Sequence, residues 1–146
     1  MSDERESRPE GNELSELLDL RMPANSEAIA QVVDNISQTL TRLKVPEQKR
    51  FEVELAVQEA LANAVVHGCG NDPSKQVRCQ LKSDPNDRIV IIVTDPGPGF
   101  RSDLIADPKQ GENLYADHGR GVYLIRQLMD EVHFHRSGNE IQMWKY

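Results

Sequence analysis

The chain predicts an α/β (α+β) two-layer sandwich: a mixed, mostly antiparallel sheet covered on one face by three helices. Three observations lead there. Apolar periodicity orders the chain as strand, two helices, two strands, a long loop, a helix and two strands. Links between successive strands are short, which favours antiparallel pairing. Strict alternation of strand and helix is missing, which argues against a doubly wound parallel sheet and for helices grouped beside an antiparallel one.

Each element has its own signal. Leu17 to Met22 reads as a first strand stopped by Pro23. Asn25 or Ser26 caps a helix, with Glu27 in its first turn. Ile29, Val32, Val33, Ile36, Leu40 and Leu43 recur at helical spacing as its apolar face. Pro46 opens a second helix carrying Phe51, Leu55, Val57, Leu61 and Val65, which Gly68 and Gly70 end. Val77, Cys79 and Leu81 alternate with polar residues, as in a strand with one covered face. Asp84-Pro85-Asn86-Asp87 is a turn, and the β-branched run from Ile89 to Val93 predicts a central strand buried on both faces. Residues 100–118 show little periodicity, and so long a connection in a compact domain is usually functional or mobile. A third helix follows Gly121, and a hairpin closes the chain, turning at Ser137-Gly138-Asn139.

Composition limits the function. The 146 residues suit one domain, assigned to 17–146, behind an acidic tail over 1–16 that is expected to be disordered. That tail carries a net charge of −4 out of −7 for the whole chain. The remainder has no basic stripe, which argues against nucleic-acid binding. No apolar run is long enough to span a membrane, and Met1 to Gly11 lacks the apolar stretch of a signal peptide, so a cytoplasmic protein is expected. Cys69 and Cys79 fit that compartment as reduced thiols. The four histidines show no paired zinc-ligand spacing. His133 and His135 are expected to share one face of a strand. Trp144 and Tyr146 are placed opposite Met143, as sheet packing or as a partner-contacting surface.

Three segments carry chemistry. Glu59, Asn63 and His67 are four residues apart on one helical face, amid alanines that leave space. There a carboxylate can accept a proton, and a carboxamide can hold a hydrated Mg²⁺ that prefers few protein oxygens plus phosphate. Asp95-Pro96-Gly97-Pro98-Gly99 follows the buried strand. An Asp in that position can accept a hydrogen bond from an exocyclic amine, and the glycines let backbone pass close to a flat ring. Gly119-Arg120-Gly121 brings glycines, free N–H groups and a helix dipole together, which suits an anion. Singly, each also reads as an ordinary solvated stripe, turn or helix start.

Together their order and spacing resemble the GHKL superfamily of ATPases, which includes gyrase and the histidine kinases. Glu59-x-x-x-Asn63 resembles the N box, Asp95-x-Gly97-x-Gly99 the first glycine box and Gly119-x-Gly121 the second. The strings from Glu59 to Gly68 and from His118 to Val132 resemble anti-sigma factor serine kinases, over residues 17–146. The resemblance implies a Bergerat-type ATP-binding fold, ATP and Mg²⁺ as cofactors, and a protein serine/threonine kinase. Such a kinase phosphorylates an anti-anti-sigma antagonist, sequesters a sigma factor and commonly forms a homodimer. It makes Glu59 the catalytic base and Asn63 the Mg²⁺ ligand, sets Asp95 on the adenine amine with Gly97 and Gly99 shaping that wall, and lays Gly119, Arg120 and Gly121 against the phosphates. Residues 100–118 become the lid. Relatives often carry Gly-Thr before the last strand where this chain has Gly138-Asn139-Glu140, so one polar contact near the adenine is expected to differ. The alternative function is a nucleotide-gated binding module with little kinase activity, serving another partner-switching or stress-signalling complex.

Overall fold

The computed structural model describes residues 14–97, 118–135 and 139–146. The chain order is β1 (Ser15–Pro23), α1 (Ser26–Arg42), α2 (Glu47–Asn63), a π-helical turn (Ala64–Gly68), β2 (Gln76–Ser83), β3 (Ile89–Thr94), α3 (His118–Leu128), β4 (Glu131–His135) and β5 (Glu140–Lys145). The strands lie in the order β1-β2-β3-β5-β4, and all four pairings are antiparallel. The expected α+β architecture is therefore present, with β3 in the middle.

One face of the sheet is the core. Leu81, Ile91 and Met143 stand in register across β2, β3 and β5, and all three are fully buried. In the next row lie Cys79, Val93 and Ile141. Val90 and Ile92 are buried on the opposite face, flanked by Lys82 and Trp144 and by Gln80 and Gln142 respectively. Trp144 thus shares the outer face with Val90, away from Met143. Tyr146, past the strand end, lies under the Arg88 guanidinium, 5.4 Å from ring centroid to Cζ. The His133 and His135 rings are 6.5 Å apart on one face of β4.

The helix ends obey local chemistry. Asn25, in extended conformation, caps α1 by accepting a hydrogen bond from the Ala28 N–H through its side chain (2.9 Å), a device that contributes about 1 kcal/mol. In the β2–β3 turn the Asp84 carboxylate, wholly buried, accepts from the N–H groups of Asn86 and Arg88 and from Arg88 Nε. Asp87 there takes φ +65°, a left-handed conformation that Asp tolerates better than most residues.

Two apolar residues depart from their expected faces. Leu43 is not on the buried stripe of α1 but forms its C-cap, 46% exposed. Phe51 is 59% exposed on α2. Helix α2 packs against α1, α3 and the sheet. Its buried set is Val53, Ala56, Val57, Ala60 and Leu61, one stripe at i, i+3, i+4, i+7 and i+8 built partly of alanines, and Phe51 falls on the opposite side of the helix. At the far edge Lys145 of β5 pairs with Glu52 of α2 (2.9 Å) and donates to the Leu128 carbonyl at the end of α3. That ion pair holds the Glu52 carboxyl below its usual value, with a further hydrogen bond from Gln48.

Both cysteines are buried and unpaired. Burial pushes the Cys79 thiol from an ordinary 9.0 up to about 12. Because the folded value is raised, the protonated thiol's contribution to stability is complete below about pH 9 and fades as pH climbs through that window. Denaturant titrations between those limits should show stability falling with pH, and Cys79→Ala should flatten the slope. A slope unchanged by the substitution would mean that the thiol already ionises in the folded chain.

Candidate functional site

The site grows from the end of α2. Past Asn63 the helix widens into a π turn, in which the Cys69 N–H donates to the Ala64 carbonyl five residues back (2.9 Å). Such turns often mark functional positions because they carry a helix end off its regular track. Here the turn delivers Gly68 to the end of β3. A Cβ built on Gly68 would land on the Asp95 carboxylate, and one on Gly97 would lie 2.7 Å from the Gly68 carbonyl carbon. The two backbones touch with no space for a side chain on either. Gly68 therefore serves close packing, whereas the left-handed step after the turn falls to Gly70 (φ +61°) and Asn71 (φ +59°).

Asp95 is held from several sides. Its N–H donates to the Asn139 carbonyl (3.0 Å), and its Oδ1 accepts from the Gly97 N–H (2.8 Å). The Asn139 side chain donates to the carbonyls of both Asp95 (3.1 Å) and Gly97 (3.2 Å). Cys69 lies near this carboxylate. Burial first, and the Asp95 charge second, push the Cys69 thiol above its ordinary value.

On its other flank α2 meets α3. A Cβ on Gly121 would sit 2.8 Å from Asn63 Nδ2 and 3.3 Å from Asn63 Oδ1, so a glycine there lets the carboxamide lie against the first turn of α3. Gly119 and Arg120 occupy that same turn, since the helix begins at His118 and not after Gly121. Glu59, one turn before Asn63, lines a groove of about 560 Å³ between α1 and α2, facing Ser26, Ala30, Val33 and Ser37. Half-buried, it remains reachable from outside. Gly99 lies outside the described residues, as does the expected lid over 100–118 except His118.

The structure thus makes two contacts involving residues the sequence singled out, Asp95 and Gly97 against Gly68 and Gly121 against Asn63, both at the end of the helix that carries Glu59 one turn earlier. It adds two residues. In sequence Gly68 reads as a helix stop and as the last residue of the motif string from Glu59, and that place is the available signal. Asn139 reads as a hairpin-turn residue and as a departure from the usual Gly-Thr. Among the described residues no group of three or more His, Cys, Asp or Glu is placed to hold a metal. The Asn63 carboxamide against the N-terminal turn of α3 offers one oxygen where an anion is also attracted, a donor set that suits a cation taking most of its ligands from phosphate and water.

Residues 22–145 match the family described as histidine kinase-like ATPase domain. The chain belongs to this family. Among curated relatives of this ATPase-domain chain, the serine-protein kinase RsbW of Bacillus subtilis (strain 168) is 27% identical over 139 residues, 90% of this chain and 86% of the relative. RsbW of Staphylococcus aureus (strain MSSA476) is 26% identical over 138 residues, 90% and 87%. Among solved structures, the SiaB–SiaC complex from Pseudomonas aeruginosa superposes with a TM-score of 0.62 at 14% identity, covering 97% of this chain and 95% of that one. The RsbU and RsbW domains of Rv1364c from Mycobacterium tuberculosis give 0.61 at 16% identity over 88% of this chain, which spans only 32% of that larger protein. At such identities the structural likeness is one of fold. No helix among the described residues is long and apolar enough to cross a membrane.

The contact of Gly68 with Asp95 and Gly97 makes a direct prediction. Gly68→Ala should destabilise the domain by about 1–3 kcal/mol, the usual cost of overpacking, measured by urea unfolding. A midpoint equal to wild type would show that the two segments do not meet.

Proposed function

We propose that this chain is an ATP-dependent serine protein kinase that phosphorylates an antagonist of the anti-anti-sigma type and sequesters a sigma factor. The observation that carries the reading is that the end of the first motif helix meets both other motif segments, Gly68 against Asp95 and Gly97, and Asn63 against Gly121. The names of the Bacillus and Staphylococcus relatives support serine phosphorylation as the chemistry. The likeness to SiaB in complex with SiaC fits a protein that works by binding another protein. In this reading residues 17–146 are the nucleotide-binding domain, 1–16 an acidic tail, and the working form a cytoplasmic homodimer.

Each residue then has one task. Asp95 accepts a hydrogen bond from the adenine amine, and Gly97 and Gly99 keep that wall flat. Gly119 and Gly121 present backbone N–H groups and the helix dipole to the phosphates, with Arg120 adding positive charge. Asn63 is the protein ligand for Mg²⁺, which supplies charge neutralisation at the phosphate oxygens when bound. Glu59 takes the proton from the serine hydroxyl as its oxygen bonds to the γ-phosphorus. The bond from that phosphorus to the bridging oxygen breaks, and ADP leaves. Catalysis is thus mainly alignment and electrostatics, which suits a site built from backbone and a few polar groups.

Two measurements test this. Glu59→Ala should bind ATP within about twofold of wild type yet lose transfer to the antagonist by roughly 10²–10⁴, the range for a general base. Equal transfer by mutant and wild type would remove Glu59 from the mechanism. Pull-downs from the native host in ATP and then in ADP, with mass spectrometry of bound and phosphorylated proteins, should recover a nucleotide-dependent partner carrying a phosphoserine. A partner recovered without phosphate would favour the binding-module alternative.

A further inference from the structure

We infer that Asn139 is a positioning residue for adenine selectivity: its side-chain amide braces the Asp95–Gly97 turn and sets how Asp95 meets the base. The inference deepens the adenine role proposed for Asp95 and rests on it. Asn139 Nδ2 spans the turn, donating to the carbonyls at both of its ends, Asp95 (3.1 Å) and Gly97 (3.2 Å). The Asn139 backbone carbonyl accepts from the Asp95 N–H (3.0 Å). Inside the turn the Gly97 N–H donates to Asp95 Oδ1 (2.8 Å), which orients the carboxylate. Pro96, between them, has no N–H to contribute. The main-chain donor and the main-chain acceptor of Asp95 are thus both tied to Asn139, immediately before β5, while the Gly97 N–H, whose own carbonyl Asn139 also holds, orients the carboxylate.

The chemistry of the brace is specific. Two carbonyls need two donors from one nitrogen, which a primary amide supplies; a serine or threonine hydroxyl has one, and a carboxylate has none. The amide also carries a liability. Asn139 Oδ1 is buried with no hydrogen-bond partner, the one such side-chain atom among the described residues. A residue present only to fill space would be apolar and would avoid that cost. The donors are what the position needs.

Calorimetric titration of the full chain with ATP and with inosine triphosphate, whose base has a carbonyl in place of the amine, tests the role. Wild type should prefer ATP. Asn139→Asp, isosteric but without donors, should weaken ATP by roughly tenfold, about 1.4 kcal/mol, and leave the inosine nucleotide within about twofold. Asn139→Ala should show a smaller loss of preference with little change in melting temperature, because losing the donors and relieving the orphan acceptor oppose each other. It also serves if the Asp variant fails to fold. Asp95→Ala supplies the control. If it abolishes the preference while both Asn139 variants keep it, the adenine role stands and the brace is overturned. If Asp95→Ala keeps the preference too, the adenine reading itself falls. Equal weakening toward both nucleotides by the Asn139 variants would mark a merely structural residue and also overturn the inference.

Discussion

Everything at this site depends on two stretches of backbone that come closer than any side chain would permit. Gly68, ending the π turn, leaves no room for a Cβ on Gly97, two residues beyond Asp95, and a Cβ on Gly68 itself would meet the Asp95 carboxylate. Packing at that density is intolerant, since neither backbone can retreat without disturbing the helix or the sheet behind it. The consequence is positional. The contact ties the helix bearing Glu59 and Asn63 to the strand end bearing Asp95. Glu59 and Asp95, more than thirty residues apart in the chain, acquire a defined relation.

The rest of the fold keeps that contact under control. The Ala56, Ala60 and Ala64 stripe of α2 is buried, and its small side chains let neighbouring elements approach the helix closely. On one flank Asn63 rests against Gly121 of α3; nearer its start, α2 is tethered through Glu52 to Lys145, which also reaches the end of α3. Lys145 ends β5, and Asn139, which braces the Asp95 turn, immediately precedes that strand's first residue. One strand therefore stabilises both the helix pair and the turn they face, so the geometry belongs to the tertiary framework and not to a loop alone.

Much of this was legible beforehand, for identifiable reasons. The β-branched run Ile89 to Val93 could only be a central strand, and the alternation of Val77, Cys79 and Leu81 only a one-sided one. Glu59, Asn63, Asp95, Gly97 and Gly121 stand out only through their combined order and spacing, since each segment alone also reads as a solvated stripe, a turn or a helix start. Phe51 misled because the buried stripe of α2 relies on alanines, which attract less notice than a large apolar side chain on the other face, and Leu43 because α1 ends one residue before it. Gly68 was legible as a glycine but not as a contact. Its partner, Asp95, lies 27 residues further along, and no local pattern records a meeting at that distance.

By itself the sequence determined what is local: the elements and their order, the Asn25 cap, the Asp84 turn, and which residue types were available for phosphate, metal and base. Propensity, periodicity and hydrogen-bonding capacity act over a few residues, and a reader can apply them one window at a time. Only the tertiary structure decided which of those residues meet. That glycines at 68 and 97 exist because two backbones touch, and that Asn139 holds Asp95 with two hydrogen bonds while leaving its own oxygen unpaired, are properties of juxtaposition. Such contacts join distant parts of the chain, and their energetics come into being when the sheet and helices close on one another.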